Sequence, residues 1–179
     1  MLLVDYIEIA PIKIHDAWKL CNFANANEPH LKRFFPKTLE QNLTPSLSQY
    51  FVEQKVKQFE AKDEFLFTLK HEEYRDFLGL VYIKELDWVK KQGEFAYCVD
   101  YRWGGKSIAT KSVGALSEYA FSEFGLETLQ IIAHKTNIPS VKVALNNGFT
   151  WIKTLEKSYA PPMEEALDME LYELYKHER

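Results

Sequence analysis

Val99-Asp-Tyr-Arg-Trp-Gly-Gly-Lys-Ser-Ile-Ala-Thr110 is the stretch that decides the fold. It joins a strand-like run to a long amphipathic helix, and Gly104 and Gly105 stand at the turn between them. A turn of this kind presents backbone N–H groups and the positive end of a helix dipole, so its natural ligand is an anion. Lys106 can add a positive charge toward a phosphate. The alternative to an anion-binding site is a plain glycine turn before a helix, without a ligand.

The sequence Gly105-Lys106-Ser107 imitates the end of a triphosphate-binding loop. That motif requires a glycine five residues before Gly105, where this chain has Asp100, whose carboxylate would repel phosphates. No G-x-G-x-x-G dinucleotide fingerprint occurs either. The stretch therefore predicts neither a nucleotide triphosphatase nor a dinucleotide-binding enzyme.

Periodic patterns on both sides of this stretch predict an α/β fold. Before it, residues 64–70, 77–86 and 94–100 read as three consecutive strands of an antiparallel meander. After it, apolar residues recur at helical spacing as far as Phe124, and Gly125 follows. The remaining predicted elements are a strand at 4–9, helices at about 15–26 and 47–59, a loop at 27–36, a strand at 128–133, a short helix at 139–147, and strands from 149 onward and at 168–175. We therefore expect a mixed, mostly antiparallel central sheet flanked by helices.

Length and composition predict one globular domain that spans residues 1–179. The chain is 46% hydrophobic with a formal net charge of −4, and it has no dense run of basic residues and no bilayer-long apolar stretch, so we expect no nucleic-acid or membrane partner. We expect a cytoplasmic protein with Cys21 and Cys98 as reduced, buried thiols. No cysteine or histidine has metal-ligand spacing, so no metal is expected. A homodimer is the commonest assembly and is one possibility here.

Further motifs follow the glycine turn in a fixed order: Asn137-Ile-Pro-Ser140 and then Leu145-Asn-Asn-Gly-Phe149. Together with Glu94-Phe-Ala-Tyr97 before the turn and Tyr119-Ala-Phe after it, this order resembles the GNAT acetyltransferase superfamily. The whole chain is similar to its RimJ/RimL-type branch, the ribosomal-protein N-terminal acetyltransferases, and residues 30–36 resemble the N-terminal loop of that branch. The resemblance implies the GNAT fold and an acetyl-CoA-dependent N-acetyltransferase, with acetyl-CoA as co-substrate and an amine as acceptor.

The resemblance also implies which residues hold acetyl-CoA. The pantetheine arm would lie along the strand that ends at Cys98 and Val99, bordered by Asn137 and Ser140. The pyrophosphate would bind backbone amides from Gly104, Gly105, Lys106, Ser107, Ile108, Ala109 and Thr110.

Two of the three defining positions of the family's pyrophosphate pattern differ in this chain. The pattern Gln/Arg-x-x-Gly-x-Gly/Ala falls here on Gly104, Ser107 and Ala109. Ser107 restricts a backbone that glycine would leave free, but binding through main-chain N–H groups tolerates the change if Ser107 keeps a negative φ. We expect that it does.

Amine acetylation needs an unprotonated amine, a polarised thioester carbonyl and a proton for the departing thiolate. The resemblance makes Glu94 the candidate to accept the amine proton through water, and a surface strand glutamate is the alternative. A backbone N–H group near Cys98 or Val99 would polarise the carbonyl.

Many members of the superfamily protonate the thiolate with a tyrosine seven residues after the asparagine, where this chain has Ala144. Ser140 is the first replacement candidate, and its alternative role is to cap or hydrogen-bond the helix start. Tyr97 is the second candidate, although an aromatic residue in a strand more often belongs to the core.

The sequence leaves the acceptor open. The leading hypothesis is the N-terminal amine of a protein or peptide, and a small amine such as a polyamine, amino acid or aminoglycoside is the nearest alternative. The altered loop and the absent tyrosine also fit a non-catalytic acyl-CoA-binding module. Candidate acceptor-site residues lie at 27–36 and 158–163, each of which can equally be a connector.

Overall fold

Eight β-strands form one sheet in the computed structural model, which describes residues 1–178. They are β1 Leu2–Val4, β2 Ile7–Pro11, β3 Phe65–His71, β4 Phe77–Asp87, β5 Gln92–Val99, β6 Thr128–Ala133, β7 Thr150–Tyr159 and β8 Leu167–Tyr175. Their order across the sheet is β1-β2-β3-β4-β5-β6-β8-β7. Every neighbouring pair is antiparallel except β5 and β6. The expected mixed, mostly antiparallel sheet is confirmed.

Helices cover both faces of the sheet. They are α1 Ala17–Ala26, α2 Glu28–Leu31, α3 Pro36–Glu40, α4 Pro45–Ala61, α5 Ile108–Ser122 and α6 Ile138–Asn146, with short 3-10 turns at Ile14–Asp16, Tyr101–Trp103 and Lys176–Glu178. One hydrophobic cluster joins α5 and α6 to the sheet, and a second joins α1 to α4 to the opposite face. Because helices pack on both of its faces, β3 is buried at every position.

The single strand predicted at residues 4–9 is wrong, because the chain forms a hairpin there. Val4 pairs with Ile7, and Asp5 between them has a φ of 54°. Aspartate tolerates this left-handed conformation better than most residues, which suits a two-residue hairpin turn. Apolar and polar residues alternate on both sides of the turn, so the alternation alone could not reveal it.

The loop predicted at residues 27–36 is wrong in its interior. It contains α2, and its last residue begins α3. Pro29 and Pro36 both occupy the first turn of a helix, where a missing N–H group costs nothing. The two prolines that indicated a loop therefore mark helix starts.

The parallel strands β5 and β6 separate before either of them ends. Their pairing runs from Gln92 opposite Thr128 to Phe95 opposite Ile131, whereas β5 continues to Val99 and β6 to Ala133. We call the space between residues 96–99 and 132–133 the strand gap.

Side chains of β5 line the strand gap on both faces of the sheet. Tyr97 and Val99 pack with the cluster under α5 and α6, and Ala96 and Cys98 pack with the cluster under α1 to α4. This is the alternation that a strand imposes. We refer to the two sides as the α5–α6 face and the α1–α4 face.

A buried ion pair fixes the start of α1 against β3. The Lys70 Nζ lies 2.5 Å from Asp16 Oδ1, and the two side chains are 5% and 1% exposed. The Asp16 Oδ2 accepts a hydrogen bond from the Lys13 backbone N–H at 3.0 Å. Each buried charge is thus compensated by the other, and either one left alone would be costly.

Replacing Lys70 with Met should lower the free energy of unfolding by about 3 kcal/mol, because Asp16 would remain buried without a counter-charge. Urea denaturation followed by circular dichroism measures this. The control is Lys91→Met, which breaks the exposed Lys91–Glu127 pair and should leave stability nearly unchanged. Equal effects of the two substitutions would contradict the role given to the buried pair.

Candidate functional site

The stretch at residues 99–110 forms a strand end, a turn and a helix N-terminus, as predicted. Within the described chain, the backbone N–H groups of residues 105–110 donate no hydrogen bond to the protein, and the first to do so is Lys111, to the Ser107 carbonyl oxygen at 2.9 Å. Unpaired N–H groups at the start of a helix form an anion-binding site. The turn therefore has the donors that a pyrophosphate requires.

The expectation of a negative φ at Ser107 is wrong. Ser107 is the N-cap residue of α5 with φ 58° and ψ 19°, and its hydroxyl makes no capping hydrogen bond. This left-handed conformation costs a non-glycine residue about 1 kcal/mol. The chain thus adopts at Ser107 the backbone shape that glycine favours, at the expense of local strain.

An ion pair between Asp100 and Arg102 fixes the start of the turn. The Asp100 side chain, 1% exposed, accepts from Arg102 Nε at 2.9 Å and from Arg102 Nη2 at 2.7 Å. Burial tends to raise the pKa of this carboxyl, but the hydrogen bonds from Arg102 outweigh it, and the pKa lies below its usual range. Asn27 adds a further bond, because its Oδ1 accepts from the Tyr101 N–H at 2.9 Å.

Lys106 differs from the other cations around the turn. Arg102 is paired with Asp100 and Lys111 with Asp5, whereas the Lys106 Nζ lies 4.2 Å from the centre of the Trp103 ring. Among the described residues Lys106 has no carboxylate partner. A cation–π contact is weak enough to exchange for a phosphate, so this charge is available to an anion on the turn.

Strand β4 approaches the end of β5 closely at Gly79. Gly79 is the register partner of Val99, and a Cβ atom at Gly79 would lie 2.3 Å from the Cys98 carbonyl oxygen. Glycine is therefore required beside Cys98 and Val99, which end the strand along which the pantetheine arm is predicted to lie. Gly79 was not predicted as a site residue, although a glycine inside a strand is the signal for such an approach.

Tyr97 and Ser140 meet on the α5–α6 face of the strand gap. Their hydroxyl oxygens are 2.9 Å apart, and the Tyr97 hydroxyl also donates to the Ser140 carbonyl oxygen at 3.2 Å. The side chain that caps α6 belongs to Asn137, whose Oδ1 accepts from the Ser140 N–H at 3.4 Å. The Ser140 hydroxyl is thus paired with Tyr97, and the two predicted candidates form one unit.

Burial raises the pKa of Tyr97 to about 12, although its hydrogen bond with Ser140 opposes the shift. The phenol therefore stays protonated at neutral pH and can act as a hydrogen-bond donor. Ala144, where many family members have tyrosine, is fully buried in the cluster under α5 and α6. The Tyr97 hydroxyl reaches α6 one turn before that position.

Glu94 lies on the opposite face of β5 from Tyr97, because side chains alternate along a strand. Its side chain is 14% exposed, and its Oε1 atom forms an ion pair with the Lys84 Nζ at 2.8 Å. Lys84 is its register partner in β4, and Gln130 is its partner in β6. Glu94 therefore sits one residue before the strands separate, with its carboxylate held in place by Lys84.

The two cysteines are free, and only Cys21 is fully buried. The expectation of a buried Cys98 is wrong in degree, because its side chain is half-buried. Its surroundings nevertheless raise the pKa of the thiol to about 12 by desolvation. Cys98 is therefore an unreactive thiol at neutral pH.

The described residues contain no group of three or more His, Cys, Asp and Glu side chains that could hold a metal ion. None of the helices among them has the length and apolar character needed to cross a membrane.

Replacing Ser107 with Gly should raise the free energy of unfolding by about 1 kcal/mol, because glycine adopts this φ without strain. Thermal and urea denaturation measure the change. The control is Gly105→Ala, at a position with φ 76° and no atom within 4 Å of a built Cβ, which should destabilise through the backbone alone. A loss of stability in Ser107→Gly would contradict the strain at this turn.

The chain matches the family model described as an acetyltransferase (GNAT) domain over residues 7–150. Among curated proteins, none matches the chain by sequence. A solved ribosomal-protein-alanine acetyltransferase from Vibrio fischeri superimposes with a TM-score of 0.90 and 20% identity, covering 97% of this chain and 95% of that chain.

Two further solved structures share the fold. RimL, a ribosomal α-N-protein acetyltransferase in complex with coenzyme A, has a TM-score of 0.88 and 14% identity, with 97% of this chain and 96% of that chain covered. A chimera of the Vibrio cholerae spermidine N-acetyltransferase SpeG and hSSAT has a TM-score of 0.80 and 14% identity, with 97% and 98% covered. At these identities the likeness shows the fold, and the family model, which extends over most of the chain, shows the family. The chain belongs to the GNAT acetyltransferase family.

Proposed function

We propose that this protein transfers the acetyl group of acetyl-CoA directly to a primary amine, and that the acceptor is the N-terminal amine of a protein or peptide. The observation that carries the proposal is the strand gap. The anion-binding turn and the Tyr97–Ser140 pair lie on one face of it, and Glu94 lies on the other. A thioester and an amine can therefore meet in the gap from opposite faces of the sheet.

The α5–α6 face has the groups that acetyl-CoA requires. The free N–H groups of residues 105–110 would bind the pyrophosphate, and Lys106 would turn from Trp103 toward a phosphate oxygen. The part of β5 that β6 leaves unpaired, which ends at Cys98 and Val99, would hold the pantetheine arm and polarise the thioester carbonyl. Asn137 would border the arm while it caps α6.

The α1–α4 face has the group that the amine requires. Glu94 would accept a proton from the incoming ammonium through water, and Lys84 would keep the carboxylate in position. The free amine then attacks the carbonyl carbon, the C–N bond forms, and the C–S bond breaks as the thiolate leaves. The nitrogen loses a second proton as it becomes an amide, and this proton would pass through water to the thiolate to give the free thiol. The proposed base and the proposed hydrogen-bond donor to the sulfur thus lie on different faces of one strand.

Tyr97 would stabilise the departing thiolate from the α5–α6 face. A thiol has a pKa near 8.5, whereas the pKa of Tyr97 is about 12. Complete proton transfer from the phenol to the sulfur is therefore unfavourable. The role we assign to Tyr97 is hydrogen-bond donation to the sulfur. Its single hydroxyl hydrogen would leave the Ser140 carbonyl oxygen for the sulfur, while the Ser140 hydroxyl donates to the Tyr97 oxygen and orients it.

The acceptor is proposed from the known structures with this fold. Two of them act on ribosomal proteins and superimpose with TM-scores of 0.90 and 0.88, and the spermidine acetyltransferase chimera reaches 0.80. A small amine is the second candidate on the strength of that chimera. The non-catalytic module loses support, because Ser107 retains the glycine-like backbone of the turn. Cytoplasmic location and homodimeric assembly are part of the same proposal.

Acetyl-CoA turnover, monitored as released thiol with a panel of amines, tests the proposed function. The panel should contain N-terminal peptides, spermidine, an amino acid and an aminoglycoside. We expect the highest kcat/KM with a peptide. A millimolar Kd for acetyl-CoA would contradict the binding site, and tight binding without turnover of any amine would identify a non-catalytic module.

Glu94→Gln should lower kcat/KM about 100-fold, because general-base assistance is lost. Tyr97→Phe should lower kcat about 10-fold with little change in the KM for acetyl-CoA, because the hydrogen bond to the departing sulfur is lost. Ser140→Ala should have a smaller effect, since Tyr97 keeps its hydroxyl. Glu127→Gln, at an exposed carboxylate paired with Lys91, is the control. If the three site substitutions leave kcat/KM unchanged, catalysis is positioning alone and these roles are wrong.

A further inference from the structure

Two segments far apart in sequence contact each other on the α1–α4 face. Arg33, between α2 and α3, binds Glu164, between β7 and β8, through Nε–Oε1 and Nη2–Oε2 bonds of 2.9 Å each. The Tyr159 hydroxyl donates to the Arg33 carbonyl oxygen at 2.6 Å, and its ring stacks on Phe34 with 5.9 Å between centres. We call Arg33, Phe34, Tyr159 and Glu164 the clasp.

The two halves of the clasp are anchored on opposite sides of the strand gap. Phe35, next to the first half, stacks on Tyr82, whose register partner Ala96 is the first residue of β5 beyond its pairing with β6. On the other side, Glu164 lies in the connection between β7 and β8, and β8 pairs with β6 as far as Glu170 opposite Ala133. The clasp therefore joins the β5 side to the β6 side over the gap.

The ion pair between Arg33 and Glu164 is exposed enough to open. The hydrogen bonds from Arg33 hold the pKa of Glu164 below its usual range, so the pair is charged at neutral pH. The Arg33 and Glu164 side chains are 41% and 39% exposed, and ion pairs this exposed contribute little net stability. The pair is well formed in the free protein, yet a bound substrate can displace it at small cost.

We propose that the clasp determines which acceptors reach the strand gap. A small, unbranched amine passes beneath the closed clasp, whereas a polypeptide N-terminus has to separate Arg33 from Glu164. This inference rests on the proposed function, because the gap is the place where amine and thioester would meet. Acetyl-CoA is assigned to the opposite face, so opening the clasp should change the acceptor's kinetic parameters and leave those of acetyl-CoA unaltered.

Glu164→Gln removes the charge and keeps the side-chain shape, so it weakens the clasp with little change in packing. We expect it to raise kcat/KM for an N-terminal peptide about threefold and to leave kcat/KM for spermidine and the KM for acetyl-CoA unchanged. The reversed pair, Arg33→Glu with Glu164→Arg, should restore the wild-type ratio of peptide to spermidine activity. Glu127→Gln breaks another exposed ion pair, Lys91–Glu127, and should not change that ratio.

Two kinetic outcomes would overturn the inference. A fall in peptide kcat/KM in Glu164→Gln that the reversed pair does not restore would make Glu164 a direct ligand of the acceptor. Equal changes for peptide and spermidine would show that the clasp does not select.

Hydrogen–deuterium exchange of residues 157–166 tests the clasp without turnover. Exchange should be faster in Glu164→Gln than in the wild type and should return to the wild-type rate in the reversed pair. Unchanged exchange in Glu164→Gln overturns the clasp itself. Absence of acetyl transfer to every amine by the wild-type protein counts against the proposed function instead.

Discussion

The pairing of β5 with β6 stops at Phe95 and Ile131, although both strands continue. Backbone groups of a buried strand need hydrogen-bond partners, so a strand that loses its neighbour needs other ones. The candidate site is built around this constraint. One edge of β5 stays bound to β4, as close as Gly79 allows, and the other edge opens into the gap. A substrate that extends along β5 would complete the sheet there.

The turn before α5 combines a rigid base with backbone donors that have no protein partner. Asp100, Arg102 and Asn27 fix the start of the turn through hydrogen bonds. Above them, Ser107 carries the strain of a left-handed conformation, which keeps the N–H groups of the first helical turn together. Strain held at a binding site by surrounding contacts is a common way to pre-organise it. Lys106, resting on Trp103, adds a charge that can move.

The separation of β5 from β6 also divides the proposed chemistry between two faces. Successive side chains of β5 point to opposite sides of the sheet, so Glu94 and Tyr97 cannot lie on the same side. The base belongs with the acceptor and the hydroxyl donor with the leaving sulfur, which matches the needs of direct transfer. The role proposed for Tyr97 would also account for the absence of a tyrosine at position 144, since Tyr97 brings a hydroxyl to α6 from the sheet. The clasp lies on the α1–α4 face, where the acceptor is proposed to bind.

Local patterns in the sequence determined most of the helices and strands, the turn at Gly104 and Gly105 and the order of the motifs, because periodicity and turn chemistry act between near neighbours in the chain. The failures have one cause, which is competition between local signals and contacts distant in sequence. Asp5 and Ser107 adopt positive φ because the hairpin and the helix start require it, and Pro29 and Pro36 begin helices. Only the tertiary structure decided that Lys84 faces Glu94, that Tyr97 meets Ser140 and that Arg33 binds Glu164, because such pairs depend on strand register and on helix and hairpin packing, which no single segment encodes.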